Sequence, residues 1–223
     1  MKKTITTILV TFFLIVSLGT AKAVELPSGL TVGVSAGEIG AYGSGKLVEA
    51  NALNGTTDVT TEEDGAFSHD YASIFAEFAV GPISVGVSYV PTSIESPQNV
   101  NEQNNESNTK GENTAKIEIN DLTTVYVLAP LLGPLYAKVG YSMGDIVTKE
   151  SLASGDTFPD TDTQGYTVGL GLQKEINDGF SFRVEVMAAA YDDVNSTSSD
   201  GNKTVDVVDL MSANATLSVM KTF

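Results

Sequence analysis

The sequence predicts an all-β fold, an eight-stranded antiparallel transmembrane β-barrel with short periplasmic turns and four long extracellular loops. Three observations carry the prediction: an export leader, a two-residue hydrophobic period that recurs eight times, and connections that alternate between short and long.

The leader comes first. Lys2 and Lys3 precede an apolar run from Ile8 to Leu18 that only Thr11 and Ser17 interrupt. Ala21-Lys22-Ala23 supplies the small-x-small pattern of a signal-peptidase site, so residues 1–23 read as a signal peptide and 24–223 as the barrel domain. The apolar run is well short of the roughly 20 residues that a membrane-spanning helix requires. The chain has no cysteine, which excludes a lipid anchor at the cleavage site, disulfides and thiolate metal ligands. It carries 12 basic and 28 acidic residues; without the three leader lysines 9 basic residues remain, a net charge of −19. Nucleic-acid phosphates would repel such a surface.

Eight segments then alternate apolar and polar side chains, the mark of strands with one apolar face. The apolar sets are Leu30, Val32, Val34, Ala36; Ala72, Ile74, Ala76, Phe78, Val80; Ile83, Val85, Val87, Tyr89; and Thr123, Val125, Val127, Ala129. They continue with Leu135, Ala137, Val139, Tyr141, Met143; Tyr166, Val168, Leu170, Leu172; Phe180, Phe182, Val184, Val186, Ala188; and Met211, Ala213, Ala215, Leu217, Val219, Phe223. Lys221 is the one charged residue on the last of these faces. An even number of strands places both termini on one side of a membrane.

Three connections are short: Gly81-Pro82, Pro130 to Pro134, and Asn177-Asp178-Gly179. Each holds residues that supply tight-turn geometry. Four are long and polar, roughly 44 to 67, 93 to 116, 147 to 163 and 192 to 204. Short turns at one end and long loops at the other describe a membrane barrel better than a soluble sandwich. The non-apolar face is rich in glycine (Gly33, Gly86, Gly140, Gly169, Gly171), as a narrow lumen requires. On the apolar face, Phe78, Phe180, Phe182 and Phe223 form one aromatic belt near the short turns. Tyr89, Tyr141 and Tyr166 form a second, separated from the first by about the ~25 Å height of an apolar band.

Over its mature length the chain resembles the OmpA-type and opacity-type family of small outer-membrane β-barrels. In that family the last strand ends in an aromatic preceded by alternating apolar residues, which the barrel-assembly machinery reads. Leu217, Val219 and Phe223 match this pattern, and Lys221 departs from it. The resemblance implies a monomeric protein of the Gram-negative cell outer membrane, in contact with its lipid and lipopolysaccharide.

Inward parity places Glu77, Lys138, Arg183 and Glu185 in the lumen at similar heights. Two acids and two bases buried together are expected to pair, because an isolated buried charge costs several kcal/mol. The resemblance implies a lumenal charge cluster of the same kind. Its plainest role is a plug; the alternative is a gate that opens when the pairs exchange.

Catalysis finds little support, and the sequence is read as that of a non-enzyme without cofactor or catalytic metal. The single histidine lies in Ser68-His69-Asp70, where alternate residues of a strand face opposite ways and make no triad. The loops carry most of the acidic excess: Glu49, Asp58, Glu62, Glu63 and Asp64; Glu95, Glu102, Glu106 and Glu112; Glu150, Asp156, Asp160 and Asp162; and Asp192, Asp193 and Asp200. Against them stand Lys46, Lys110, Lys149 and Lys203. Asp160-Thr161-Asp162 lacks the glycine and distal glutamate of an EF-hand loop, so weak divalent-cation binding at the rim is the most these carboxylates imply. The expected function is structural or surface-interacting, with a narrow cation-preferring pore as the alternative.

Overall fold

The computed structural model describes residues 29–53, 57–104, 110–152 and 155–223; the expected leader lies outside them. The described residues form β-strands and no helix. In chain order the strands are β1 (Leu30–Leu53), β2 (Thr57–Val80), β3 (Ile83–Tyr89), β4 (Ile94–Glu95), β5 (Asn99–Asn104), β6 (Lys110–Leu132), β7 (Leu135–Ser151), β8 (Thr161–Asn177), β9 (Phe180–Tyr191), β10 (Val194–Thr197) and β11 (Lys203–Thr222). Eight of them, β1, β2, β3, β6, β7, β8, β9 and β11, form an antiparallel ring that β1 and β11 close. The two short strands β4 and β5 pair with β6, and β10 pairs with β11.

The short connections have the geometry their residues dictate. Asp178 and Gly179 both take positive φ (47° and 78°), the type I′ hairpin turn that Asp-Gly favours. Gly81 and Gly133 take positive φ (61° and 58°) ahead of Pro82 and Pro134, which suits a turn whose first central residue is glycine.

Cross-strand register fixes the barrel's dimensions. Moving from neighbour to neighbour around the ring, Val32 leads to Ala76, Val87, Val125, Tyr141, Tyr166, Ala190, Met211 and back to β1 at Tyr42. The circuit returns ten residues further along β1, from position 32 to position 42. Eight strands with that stagger tilt by about 40° and leave a lumen that side chains fill.

The apolar sets face outward. Val34, Val168, Leu172, Phe182, Val184 and Leu217 are all exposed, while Ser35, Ser73, Ser181, Thr216 and Ser218 between them are buried. Thr123 is the exception: a register shift between Asn120 and Thr123 lies beside it, and it is buried with its hydroxyl on the Asp121 carbonyl, 3.0 Å away.

The long connections differ from expectation. Residues 44 to 67 are mostly ladder rather than loop: β1 and β2 stay paired from Leu30↔Phe78 out to Glu49↔Val59. Likewise β6 begins at Lys110 and β7 runs to Ser151, so the barrel wall continues well past its apolar band. Backbone hydrogen bonding is indifferent to the polar side chains that suggested loops. The third and fourth connections are knitted together. Thr157 N–H donates to Ser199 Oγ at 3.1 Å, Ser199 N–H to the Thr157 carbonyl at 2.8 Å, and Lys203 Nζ to Asp156 at 3.1 Å.

Candidate functional site

Two groups of buried side chains lie in the lumen. Near the short-turn end, β2, β7 and β9 bring Glu77, Lys138, Arg183 and Glu185 together, each of them buried. Arg183, 2% exposed, forks onto Glu77 with Nη1 to Oε1 at 2.5 Å and Nη2 to Oε2 at 2.8 Å. This bidentate arrangement is the strongest form of a carboxylate–guanidinium pair. Lys138 donates to Glu185 at 3.2 Å. Two acids thus meet two bases, and no charge in the plug lacks its counterion.

Four residues that the parity argument leaves unnamed complete the plug. Tyr126 donates its hydroxyl to Glu77 at 2.8 Å, and Gln173 accepts from Arg183 Nη2 at 2.8 Å. The Lys138 ammonium lies 3.8 Å from the centre of the Tyr126 ring, and the Arg183 guanidinium 5.2 Å from the rings of Phe75 and Tyr136. Such faces stabilise cations held away from water. The sequence does hold a signal for these rings. Phe75 pairs across strands with Gly33, Tyr126 with Gly86 and Tyr136 with Gly171. A Cβ at Gly86 would fall 2.6 Å from the Tyr126 ring, so each glycine vacates the space that an aromatic plug residue fills.

Above the plug is a small polar chamber of about 40 Å³, lined among others by Ser35, Ser73, Thr124, Ser142, Thr216 and Asn214. That volume holds only a few water molecules. The chamber ends at the second group, which is apolar: Ile39, Tyr71, Val90 and Ile94 are buried together, with Phe67, Ile119 and Leu122 packed on them. Ile94 is wholly buried. It reaches this place because β3 stops at Tyr89, after which Val90 N–H turns to the Leu122 carbonyl (2.9 Å) and β4 pairs with β6 at Ile119. Nothing in a two-residue period announces a segment that folds back over the lumen.

The remaining expected residues lie as follows. Phe78, Phe180, Phe182, Phe223 and Tyr166 are exposed on the outer face. Tyr141 and Tyr166 meet edge to face with centroids 5.2 Å apart, and Tyr89 donates to Asp121 at 2.7 Å. Leu217 and Val219 are exposed on β11, and the Phe223 N–H closes onto the Leu30 carbonyl at 2.9 Å. Lys221 has a local partner on its apolar face: its ammonium donates to the Asp178 carbonyl and lies 4.6 Å from the Phe180 ring centre. Long cationic side chains reach a polar partner in this manner from an apolar surface.

Ser68 and Asp70 are exposed while His69 between them is partly buried, so the three do not converge. Among the described residues no group of three or more His, Asp or Glu side chains is placed to hold a metal ion. Of the loop acids, Asp200 is held by the Ser198 hydroxyl (2.6 Å), the Asn202 N–H (2.9 Å) and the Asn202 amide (2.9 Å), which lower its pKa to about 2. Lys116, absent from the sequence balance, bonds Glu95 at 2.5 Å and approaches Glu118 at 3.6 Å. Glu106 and Lys110, and the side chains of Glu102 and Glu112, lie outside what the structure describes in side-chain detail.

No protein-family model matches the chain, and no curated protein is similar to it. Solved structures do resemble its course. The outer membrane protein OprG from Pseudomonas aeruginosa is 13% identical, with 88% of this chain and 98% of that chain covered and a TM-score of 0.48. The outer membrane protease OmpT from Escherichia coli is 10% identical, with 92% and 99% covered and a TM-score of 0.48. Ail, the attachment invasion locus protein of Yersinia pestis, is 14% identical, with 86% and 99% covered and a TM-score of 0.37.

Proposed function

We propose that this chain is a sealed β-barrel of the Gram-negative outer membrane, of the OmpA and opacity type, with a structural or surface-interaction role. Its short turns face the periplasm and its extended strands face outward. The observation that supports this reading is the double closure: a neutralised ion-pair plug and, beyond the chamber, an apolar seal. A conducting lumen needs continuous water, and two layers of buried side chains of different chemistry, one ionic and one apolar, stand across that path. In the inner part of the barrel, where all eight strands pair, the closed ring leaves no sheet edge among the described residues, the condition for a sheet to cross lipid. Contacts with lipopolysaccharide, weak binding of divalent cations at the acidic loops, a monomeric state, and recognition of Leu217, Val219 and Phe223 by the assembly machinery belong to the same proposal.

The alternative is a narrow cation-preferring pore, favoured by the polar chamber and the acidic mouth, which concentrates cations. Single-channel recording of the refolded protein in a planar bilayer, with Glu77→Ala beside it, separates the two. Silence from both supports the sealed barrel. Steady cation-selective steps that change with the substitution would replace it by the pore.

A further inference from the structure

The barrel wall closes completely only in its inner part. β2 pairs with β1 along almost its whole length, but its other side pairs with β3 only from Val80 to Ile74. The ladder stops where Ala72 would face Pro91, which has no N–H to donate. Among the described residues, no strand takes up that side of β2 further out. The apolar seal around Tyr71 and Ile94 covers the first residues beyond the break. From Ser68 out to Asp58 the edge stands exposed.

Register shows which groups this edge presents. Ala79 N–H donates to the Gly29 carbonyl at 3.1 Å, so the odd residues of β2 bond to β1. The pairing has no register shift between Phe78 and Val59. The even residues, including Glu62, Asp64, Ala66 and Ser68, therefore turn N–H and C=O to the open side. Their side chains include the carboxylates Glu62 and Asp64, and β2 contains no lysine or arginine. An edge of this kind is a template for one more strand. A second copy of the chain would bring the same carboxylates opposite one another, which is unfavourable. An added strand with a cation at every second position would instead place cations opposite Glu62 and Asp64.

We propose that the outer edge of β2, from Ser68 to Asp58, takes an extended peptide of a partner protein as an added strand, with lysine or arginine at alternate positions. This deepens the surface-interaction reading and rests on it. Backbone bonds to the even residues supply the attachment, and Glu62 and Asp64 set the sequence preference.

The test uses the full refolded protein in lipid nanodiscs and a labelled ten-residue peptide of alternating lysine and threonine. Its controls are an isomer with five lysines followed by five threonines, and the alternating peptide N-methylated on its lysine backbone nitrogens. The alternating peptide is expected to bind at least about tenfold more tightly than either control. Ala66→Pro removes one N–H on the open side at a position where an edge strand tolerates proline, and it should weaken binding about tenfold. Glu62→Gln with Asp64→Asn should flatten the salt dependence of binding. Equal binding of the alternating peptide and its block isomer, or of its methylated form, would reduce the edge to an unspecific acidic surface and overturn the proposal. The methylated peptide gives that answer even if Ala66→Pro fails to fold. A wild-type dimer that Ala66→Pro dissolves would assign the edge to a second copy and overturn it as well. Channel silence together with absent peptide binding removes this proposal and leaves the sealed barrel standing, whereas open-channel steps overturn the sealed barrel itself.

Discussion

The two groups of side chains buried in the lumen are built on opposite chemistry. The inner one, Glu77–Arg183 and Lys138–Glu185, is ionic and anchored on strands that are part of the ring. The outer one, Ile39, Tyr71, Val90 and Ile94, is apolar and draws two of its members from the segment after β3 that leaves the ring. An ionic plug tolerates the loss of both partners far better than the loss of one, since a lone buried charge is the costly state. An apolar seal loses stability in proportion to the volume removed. The difference teaches that the inner closure is an all-or-none balance and the outer one a graded packing.

The sharpest way to break this comparison is to unbalance the plug. Arg183→Met, which leaves Glu77 buried without its counterion, should cost about 3–5 kcal/mol in urea unfolding of the lipid-embedded protein. Adding Glu77→Gln should restore most of that loss; a double variant as unstable as the single one would show that packing, not charge balance, governs the inner closure. Next in size, Ile94→Ala should cost about 2–4 kcal/mol. Hydrogen exchange should then lose protection at the Val90 and Ser96 amides, which bond to Leu122 and Ile117, and keep it at the plug strands.

The plug was legible because parity is a property of the sequence itself. Glu77, Lys138, Arg183 and Glu185 share inward parity at similar heights, so their side chains meet in the lumen. Tyr126, Tyr136 and Phe75 were legible in principle, through the glycines opposite them, but pairing them required the register. The outer seal was not legible, because Val90 and Ile94 lie in a stretch with two prolines and no period. The polar reach of β1 and β2 was hidden for a different reason. Their pairing there rests on backbone bonds, to which Thr60, Glu62 and Asp64 give no apolar signature.

Two smaller effects test the periphery. Asp200 is depressed below its ordinary value of 3.8 to about 2 by hydrogen bonds to its charged form. The order it lends to the turn at Ser198–Asn202 is present above pH 3.8 and lost as pH falls through about 2. Limited proteolysis with an acid-active protease should therefore leave this turn intact at pH 4 and cut it near pH 2; Asp200→Asn should be cut at both. Least of all, Lys221→Met should change stability by under about 1 kcal/mol, the scale of an exposed cation–π contact. A larger loss would mean that the staple from Lys221 to the Asp178 carbonyl governs closure of β11 against the rest of the ring.

The length of β1 and β2 has a mechanical consequence. Each is 24 residues long, about 80 Å of strand at 3.3–3.4 Å per residue, and the β2–β3 ladder at the inner end takes up only seven residues of β2. The outer part of the β1–β2 ladder is therefore continuous with the inner part, with no register shift from Leu30↔Phe78 to Glu49↔Val59. A pull along the strand axis at the outer tip loads many backbone bonds in parallel and passes straight into the eight-stranded ring. The same pull on the flap of β4 and β5 meets short ladders that yield bond by bond. The protein thus has one stiff arm and one compliant one, and tension applied from outside will be borne by the first.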